Sequence, residues 1–564
     1  MSVWRRLGLL PLLLALLGAL ALVGSASAAA VYPVKVGPTG RYLVDQAGAP
    51  FLMVGESPQA LIGNLSLADA QTFFINRKSH GFNTVWINLL CAAYTACRAD
   101  GATYDGIAPF TALLNTTQTD RDAPNYDFAT PNEAYFAKVD QVLQLAAQYG
   151  FLVILDPAET GSWLTPMMTN GADKTRAYGQ YLGQRYKNFD NIVWMHGNDY
   201  HFDQPPTADL DQVTTALALG IKDVDTRHLQ TIELYYLQSS STDDPRWVPL
   251  IDLNAAYTYF PAYDEVLNDY NRQSILPVFL VESGYEFEDP PGVGTAPKNL
   301  RAQEYWTVLS GATGQLYGNH YTWQFIDGWQ QQLDSPGAIQ MGLLNALFAP
   351  RAWHLLVPDQ GHVLVTAGIG TFGDVDYVTA AQTPDGTLAM AYVPTSRTLT
   401  VDLSRLSGQV TARWYDPAVG TFSPVPGSPF ANAGSYNFTT PGNNAGGDQD
   451  WVLVLEVRAP SDTTPPTVSI TSPTTDATYI TSSALVTLGG TASDDVGVTQ
   501  VTWTNGRGGG MATGTTSWVA SDIPLKLGLN VLTVTARDAA GHTGTASLSV
   551  CRTAVGRVGG VLCH

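Results

Sequence analysis

From about residue 32 to residue 345 the chain alternates between short apolar runs of strand length and longer segments with helical spacing. The runs are 51–55, 83–88, 151–156, 191–197, 229–236, 254–259, 277–282 and 315–320. Between them, segments such as 66–80, 132–149 and 173–185 carry apolar residues at helical spacing. The first opens Ser66-Leu67-Ala68-Asp69 and stops at Gly81, as a capped helix should. Strand-then-helix units predict a parallel sheet covered on both faces, and eight of them in this length fit a closed (β/α)8 barrel. The competing arrangement, an open doubly wound sheet, favours a glycine-rich phosphate turn after its first strand. Gly55-Glu56-Ser57-Pro58 stands there instead.

After Arg351 the pattern shifts to alternation and turns, with no long helical stretch. HVLVTAG, DYVTAAQTPDGTLAMAYV, VTARWYDPAVGTF and WVLVLEV read as strands, with Asp385-Gly386 as a hairpin turn. A β-sandwich is predicted. The stiff polar segment APSDTTPP then leads into a second all-β stretch containing ALVTLGGTASDDVGVTQVTW and NVLTVTARDAAGHTG. The predicted organisation is a signal peptide (1–28), a catalytic barrel (31–345), a β-sandwich (346–458), a linker (459–466), an Ig-like domain (467–551) and a tail (552–564).

Composition narrows the class. Apolar content of 45% with only 14% charged residues excludes a disordered or coiled-coil protein. Arg5 and Arg6, an apolar run from Leu7 to Val23, and Ala26-Ser27-Ala28 form a secretory signal pattern, so export is expected. No later stretch is long and apolar enough to span a bilayer. The net charge of −20 becomes −22 once the signal's two arginines are removed, which disfavours nucleic acid and anionic membranes as partners. Four cysteines fall as two close pairs, Cys91/Cys97 and Cys551/Cys563. In an oxidising compartment two local disulfides are the simplest pairing, although spacing alone does not fix connectivity. Neither pair has the partners of a zinc site, so no metal or other cofactor is expected. The acidic turn at Ser493-Asp494-Asp495 is at most a weak Ca²⁺ site.

In a barrel the strand C-terminal ends form the active face. Reading those ends gives Glu56, Asn88, Asp156, His196, Asn198, Asp199, Tyr235/Tyr236, Tyr257, Tyr259, Glu282, Tyr285, Glu286 and His320. A strand-end acid often only caps the next helix, but their coincidence on one face points to a site. Asp199 in NIVWMHGNDY and Glu282 in PVFLVESGYE end strands four and seven, on opposite sides of the ring. Glycosidic cleavage needs two such acids, one to protonate the leaving oxygen and one to attack or activate water. Glu56 and Glu286 are rivals for either role. Trp163, Tyr257, Tyr259 and Trp323 offer flat faces for sugar rings, and His196 and His320 are candidate hydrogen-bond partners. Metalloprotease, nucleophile-elbow and phosphate-loop motifs are missing.

The segments GRYLVDQAGAPFLMVGES, HGFNTVWINLL, NIVWMHGND, VFLVESGYE and YWTVLSGATGQLYGNHYTWQF resemble, in order, the apiosidase-like glycoside hydrolases, a (β/α)8 family. FAPRAWHLLVPD through DWVLVLE resembles the domain often fused to them and labelled collagen-binding, and TASDDVGVTQVTWTN with LGLNVLTVTARDAAGH resembles bacterial Ig-like modules. The resemblance implies Asp199 as acid/base, Glu282 as nucleophile and Asn198 as a sugar ligand. Strand one carries Gly-Glu-Ser where relatives have Gly-Asp-Thr. The expected function is a secreted retaining hydrolase of a polysaccharide or glycan, with β-domains that are candidates to bind carbohydrate or matrix. The alternatives are a non-catalytic carbohydrate- or matrix-binding protein on a barrel scaffold and, with less support, a collagenase-type protease.

Overall fold

The computed structural model describes residues 30–115, 121–200, 208–289, 292–457 and 463–554. The signal segment 1–28 lies outside them. All eight apolar runs of the first region yield a strand: β1 (Met53–Glu56), β2 (Thr84–Asn88), β3 (Leu152–Asp156), β4 (Ile192–Gly197), β5 (Gln230–Glu233), β6 (Asn254–Thr258), β7 (Val278–Glu282) and β8 (Gly314–Tyr317). β1 to β5 pair in parallel in chain order, as do β6 to β8. β8 then closes onto β1 through the register Gly314↔Met53 to Tyr317↔Glu56. An open doubly wound sheet would leave its first and last strands apart, so the fold is a nearly closed barrel.

The remaining seam lies between β5 and β6, where no ladder forms among the described residues. A short antiparallel strand, Gln238–Ser240, pairs with β6 instead. Ser241 bridges the gap with its side chain. Its hydroxyl donates to the Ile232 carbonyl (2.5 Å) and accepts from the Ala255 N–H (2.8 Å), satisfying backbone groups that a ladder would otherwise pair.

Strand side chains alternate between the barrel interior and the helices outside. Met53, Trp86, Leu152, Ile154, Val193, Met195, Phe279 and Leu316 build the inner core, joined by Val34 and by Leu43 and Phe51 from a small antiparallel sheet at residues 35–51. Val54, Val85, Val153, Leu155 and Trp194 face the helical layer. Helix Leu67–Ser79 starts as predicted, with Ser66 accepting from the Asp69 N–H at 3.1 Å. The segment expected to be helical from 173 follows a break at Gly171 (φ +74°), which separates it from a further helix that starts at Thr160.

Residues beyond 351 form two β-rich regions. One has a six-stranded and a three-stranded sheet, all antiparallel, between Val357 and Val457. It belongs to the same compact unit as the barrel. Buried Arg301 ties the two, meeting Asp450 at 2.8 and 3.0 Å and Asp448 at 2.8 Å. The other region, Thr467–Arg552, pairs a three-stranded with a five-stranded sheet around buried Trp518. Cys91 and Cys97 are bonded. Cys551 is also disulfide-bonded, and its expected partner Cys563 lies outside the described residues.

Candidate active site

Asp199 and Glu282 meet at the C-terminal mouth of the barrel, joined through a third residue. The Tyr257 hydroxyl oxygen lies 2.8 Å from Asp199 Oδ1 and 2.8 Å from Glu282 Oε1. Two such contacts to one atom cap the separation of those carboxyl oxygens at about 5.6 Å, close to the spacing of roughly 5–5.5 Å used for direct attack on a sugar. Glu282 reaches this position through a bulge. In the β6–β7 register Ala256 faces Leu280 but Tyr257 faces Glu282, so Val281 is an extra residue and both Val281 and Glu282 turn inward. Without it, alternation from inward Phe279 would send Glu282 out to the helices.

A phenol carries one proton and cannot donate to two carboxylates at once. One of the two contacts therefore needs a protonated carboxyl donating to the Tyr257 oxygen. The other phenols indicate which. Glu282 accepts from Tyr259 (2.9 Å) and Tyr285 (2.8 Å) as well, the surroundings of an ionised carboxylate. Among the described residues Asp199 accepts at Oδ2 from Tyr94 and meets Tyr257 at Oδ1, two phenols against the three on Glu282. Burial, then the Asp199 charge, pushes Glu282 up to about 8 against the pull of its three tyrosines. Burial likewise raises Asp199, opposed by Tyr94, Tyr257 and the Arg121 charge. Burial thus raises both acids, and they share a proton through the Tyr257 oxygen between them.

Close packing fixes these phenols. The Cys91–Cys97 bond closes a short turn around Tyr94, whose ring lies so near Gly161 that a Cβ there would sit 2.1 Å away. Tyr285 lies on Gly318 in the same way, with a Cβ clash at 2.0 Å. Arg121 stacks on the outer face of Tyr94, 4.6 Å from the ring centre. Asp199 is reached through three successive left-handed residues, Gly197 (φ 101°), Asn198 (φ 101°) and Asp199 (φ 53°). Such conformations cost about 1–3 kcal/mol for non-glycine residues and concentrate at functional sites.

Other expected residues divide by strand phase. Asn88 and Asp156 are ladder partners on the inward face. Asn88 accepts from the Trp86 indole (2.9 Å) and reaches Asn198 Oδ1 (3.4 Å). Asp156 accepts from the Ala158 N–H (3.0 Å), its other oxygen has no partner among the described residues, and burial raises it well above the carboxylate range. Tyr259 and Tyr285 bind Glu282, and half-buried Trp323 stands edge-on to Tyr285 at 6.4 Å. Trp323 and His320 both meet Glu288 (2.7 and 3.2 Å), which orients them at the rim.

Four expectations require correction. Glu56 points outward, in phase with Val54, and its carboxylate is taken by Arg77 and by Thr322 (2.5 Å). Glu286 is occupied by Tyr317, Ser335 (2.6 Å) and the Gly337 N–H (3.1 Å), where it caps helix Pro336–Phe348. Neither is free to serve as an alternative nucleophile. Trp163 is fully buried among Phe110, Tyr126 and Phe128, so it is core and offers no sugar platform. His196 shares the outward face with Trp194, packs on Trp247 and meets Gln230 (3.0 Å), with burial lowering it to about 4. It reaches neither acid.

The structure also brings in residues absent from the sequence reading. Glu233 ends β5 on the face opposite Ile232, fully buried, with Oε2 accepting from the Asp199 N–H (3.1 Å) and Asn198 Nδ2 (3.5 Å). Period two along Gln230-Thr231-Ile232-Glu233 could have found it. Tyr94 and Arg121 lie in a loop with no periodicity to read.

Comparison with family models matches residues 38–354 to the apiosidase-like catalytic domain, 357–456 to a collagen-binding domain of a collagenase, and 466–550 to a bacterial Ig domain. A solved glycoside hydrolase superposes with a TM-score of 0.62 at 24% identity, covering 75% of this chain and 96% of its own. A family 5 glycoside hydrolase from Bacteroides vulgatus gives 0.63 at 22% identity, covering 75% and 93%. Both are likenesses of fold. No curated protein matches the chain.

Proposed function

Because the chain belongs to the apiosidase-like family, as a glycoside hydrolase with a carbohydrate substrate, we propose that it cleaves by retention, with Asp199 as acid/base and Glu282 as nucleophile. The observation that carries this reading is the single Tyr257 oxygen within 2.8 Å of both carboxyls. Glu282⁻ attacks the anomeric carbon while Asp199 passes its proton to the leaving oxygen, and the glycosidic bond breaks. Asp199⁻ then takes a proton from water, whose oxygen displaces Glu282 and frees the sugar. Tyr259 and Tyr285 hold the Glu282 carboxylate in place, and Tyr257 relays the shared proton. Asn198, Asn88 and Asp156 present amide and carboxyl groups to sugar hydroxyls.

The arginine-led apolar N-terminus supports export of the enzyme. Domain order supports an attachment role for the two β-domains, toward carbohydrate or matrix. The test is a panel of aryl glycosides and polysaccharides, with product anomers read by NMR. Asp199→Asn and Glu282→Gln should each lose about 10³-fold or more in kcat, and the first-formed anomer should match the substrate's. Activity surviving both substitutions, or an inverted first product, would overturn the assignment.

A further inference from the structure

Taking the retaining reading as its basis, the geometry points to Glu233 as a positioning residue: a neutral carboxyl that carries the left-handed turn from which Asp199 projects. Its Oε2 is the shared acceptor for the Asp199 N–H (3.1 Å) and the Asn198 side-chain amide (3.5 Å), so one oxygen holds the backbone of the acid and the neighbouring amide. That turn needs holding, because Asn198 and Asp199 both have positive φ. It is also wedged against β5: a Cβ on Gly197 would lie 2.1 Å from the Glu233 carbonyl. Thr160 adds a tether from the other side, donating to the Asn198 carbonyl at 3.0 Å.

Among the described residues no cation pairs with Glu233. The side chain is fully buried, and its Oε1 has no partner among the described residues. The titratable groups acting on it are Glu282 from β7 and Asp199 from the β4 turn, with phenols Tyr94, Tyr257 and Tyr285 around them. Arg121, the cation of this cluster, acts on Asp199. An ionised carboxylate buried without a counter-charge is expensive, so the proton stays. Burial and the two neighbouring acids raise Glu233 well above the carboxylate range, which agrees. A protonated carboxyl still accepts through Oε2, so the turn is held without adding a charge beside the acid.

A neutral acid and its amide are near-isosteres, and this gives the test. Glu233→Gln, Glu233→Ala and Glu233→Asp are compared with wild type for kcat, KM and melting temperature, using whichever substrate the panel identifies. Glu233→Gln should keep kcat within about threefold, whereas Glu233→Ala should lose roughly 10²-fold in kcat with KM within about threefold. Glu233→Asp, one methylene too short to reach the Asp199 N–H, should resemble Ala and serves if Ala does not fold. A Gln variant as impaired as Asp or Ala would overturn the proposal, since a charge would then be required. So would full kcat in Ala or Asp. Failure of the underlying retaining reading has a separate signature, full activity of Asp199→Asn, whatever the Glu233 variants do.

Discussion

Glu56 and Glu282 are both buried acids at the ends of barrel strands, yet the protein treats them oppositely. Glu56 is given a cation: Arg77, itself fully buried, forms a two-pronged pair with it, and Thr322 adds a hydroxyl. Glu282 is given three phenols and two acidic neighbours. An ion pair keeps a charge permanently and makes it useless for proton traffic. Phenols can stabilise a carboxylate and still leave its charge negotiable, because each is a weak acid able to donate or accept. The identity of the partner, more than depth of burial, separates scaffold from chemistry in this barrel.

The largest effect should come from breaking the ion-paired side. Arg77→Met strands the Glu56 charge and should cost about 3–5 kcal/mol in denaturant unfolding, with activity per folded molecule little changed. Adding Glu56→Gln to that variant should recover much of the loss. Next, Tyr257→Phe removes the bridge and should lower kcat about 10²-fold, near 2.7 kcal/mol, with the melting temperature steady. A third test reverses the usual sign. Glu282 has a raised folded pKa, so its contribution to stability is present below about 4.5 and is lost as pH rises toward about 8. Glu282→Gln should therefore be more stable than wild type at pH 8, on the order of 2 kcal/mol by urea titration, with the gap closing near pH 4.5. Equal stability at both pH values would place the two acids in the same class. The smallest effect is expected at the rim: Trp323→Ala should raise KM about fivefold, roughly 1 kcal/mol, and leave kcat nearly intact.

The same comparison explains what could be read beforehand. Eight buried strands declare themselves through short, largely apolar runs of strand length, and Asp199 and Glu282 stand where two of those runs stop. What position along the chain does not convey is which way a strand-end side chain points. Glu56 and Glu233 look alike as letters, but counting by twos from Met53 puts Glu56 outside, and counting from Ile232 puts Glu233 inside. Glu286 was a credible rival because only the folded chain reveals that the helix beginning at Pro336 comes round to claim its carboxylate. Trp163 follows a strand end as a sugar platform would, yet Phe110, Tyr126 and Phe128 arrive from a distant loop to bury it. Tyr94 and Arg121 belong to that irregular region, where there is no period to count.

Val281 shows how little separates the two kinds of acid. In a pleated strand the choice between inside and outside is a reading frame of two, and one inserted residue is a frameshift. Val281 is that insertion. Pleating the strand regularly with Val281 kept would turn Glu282 to the helical side and leave the tyrosines facing an empty register, because the bulge is what lets two successive residues face inward. The position of the nucleophile is written in the bulge of the strand as much as in the identity of the glutamate.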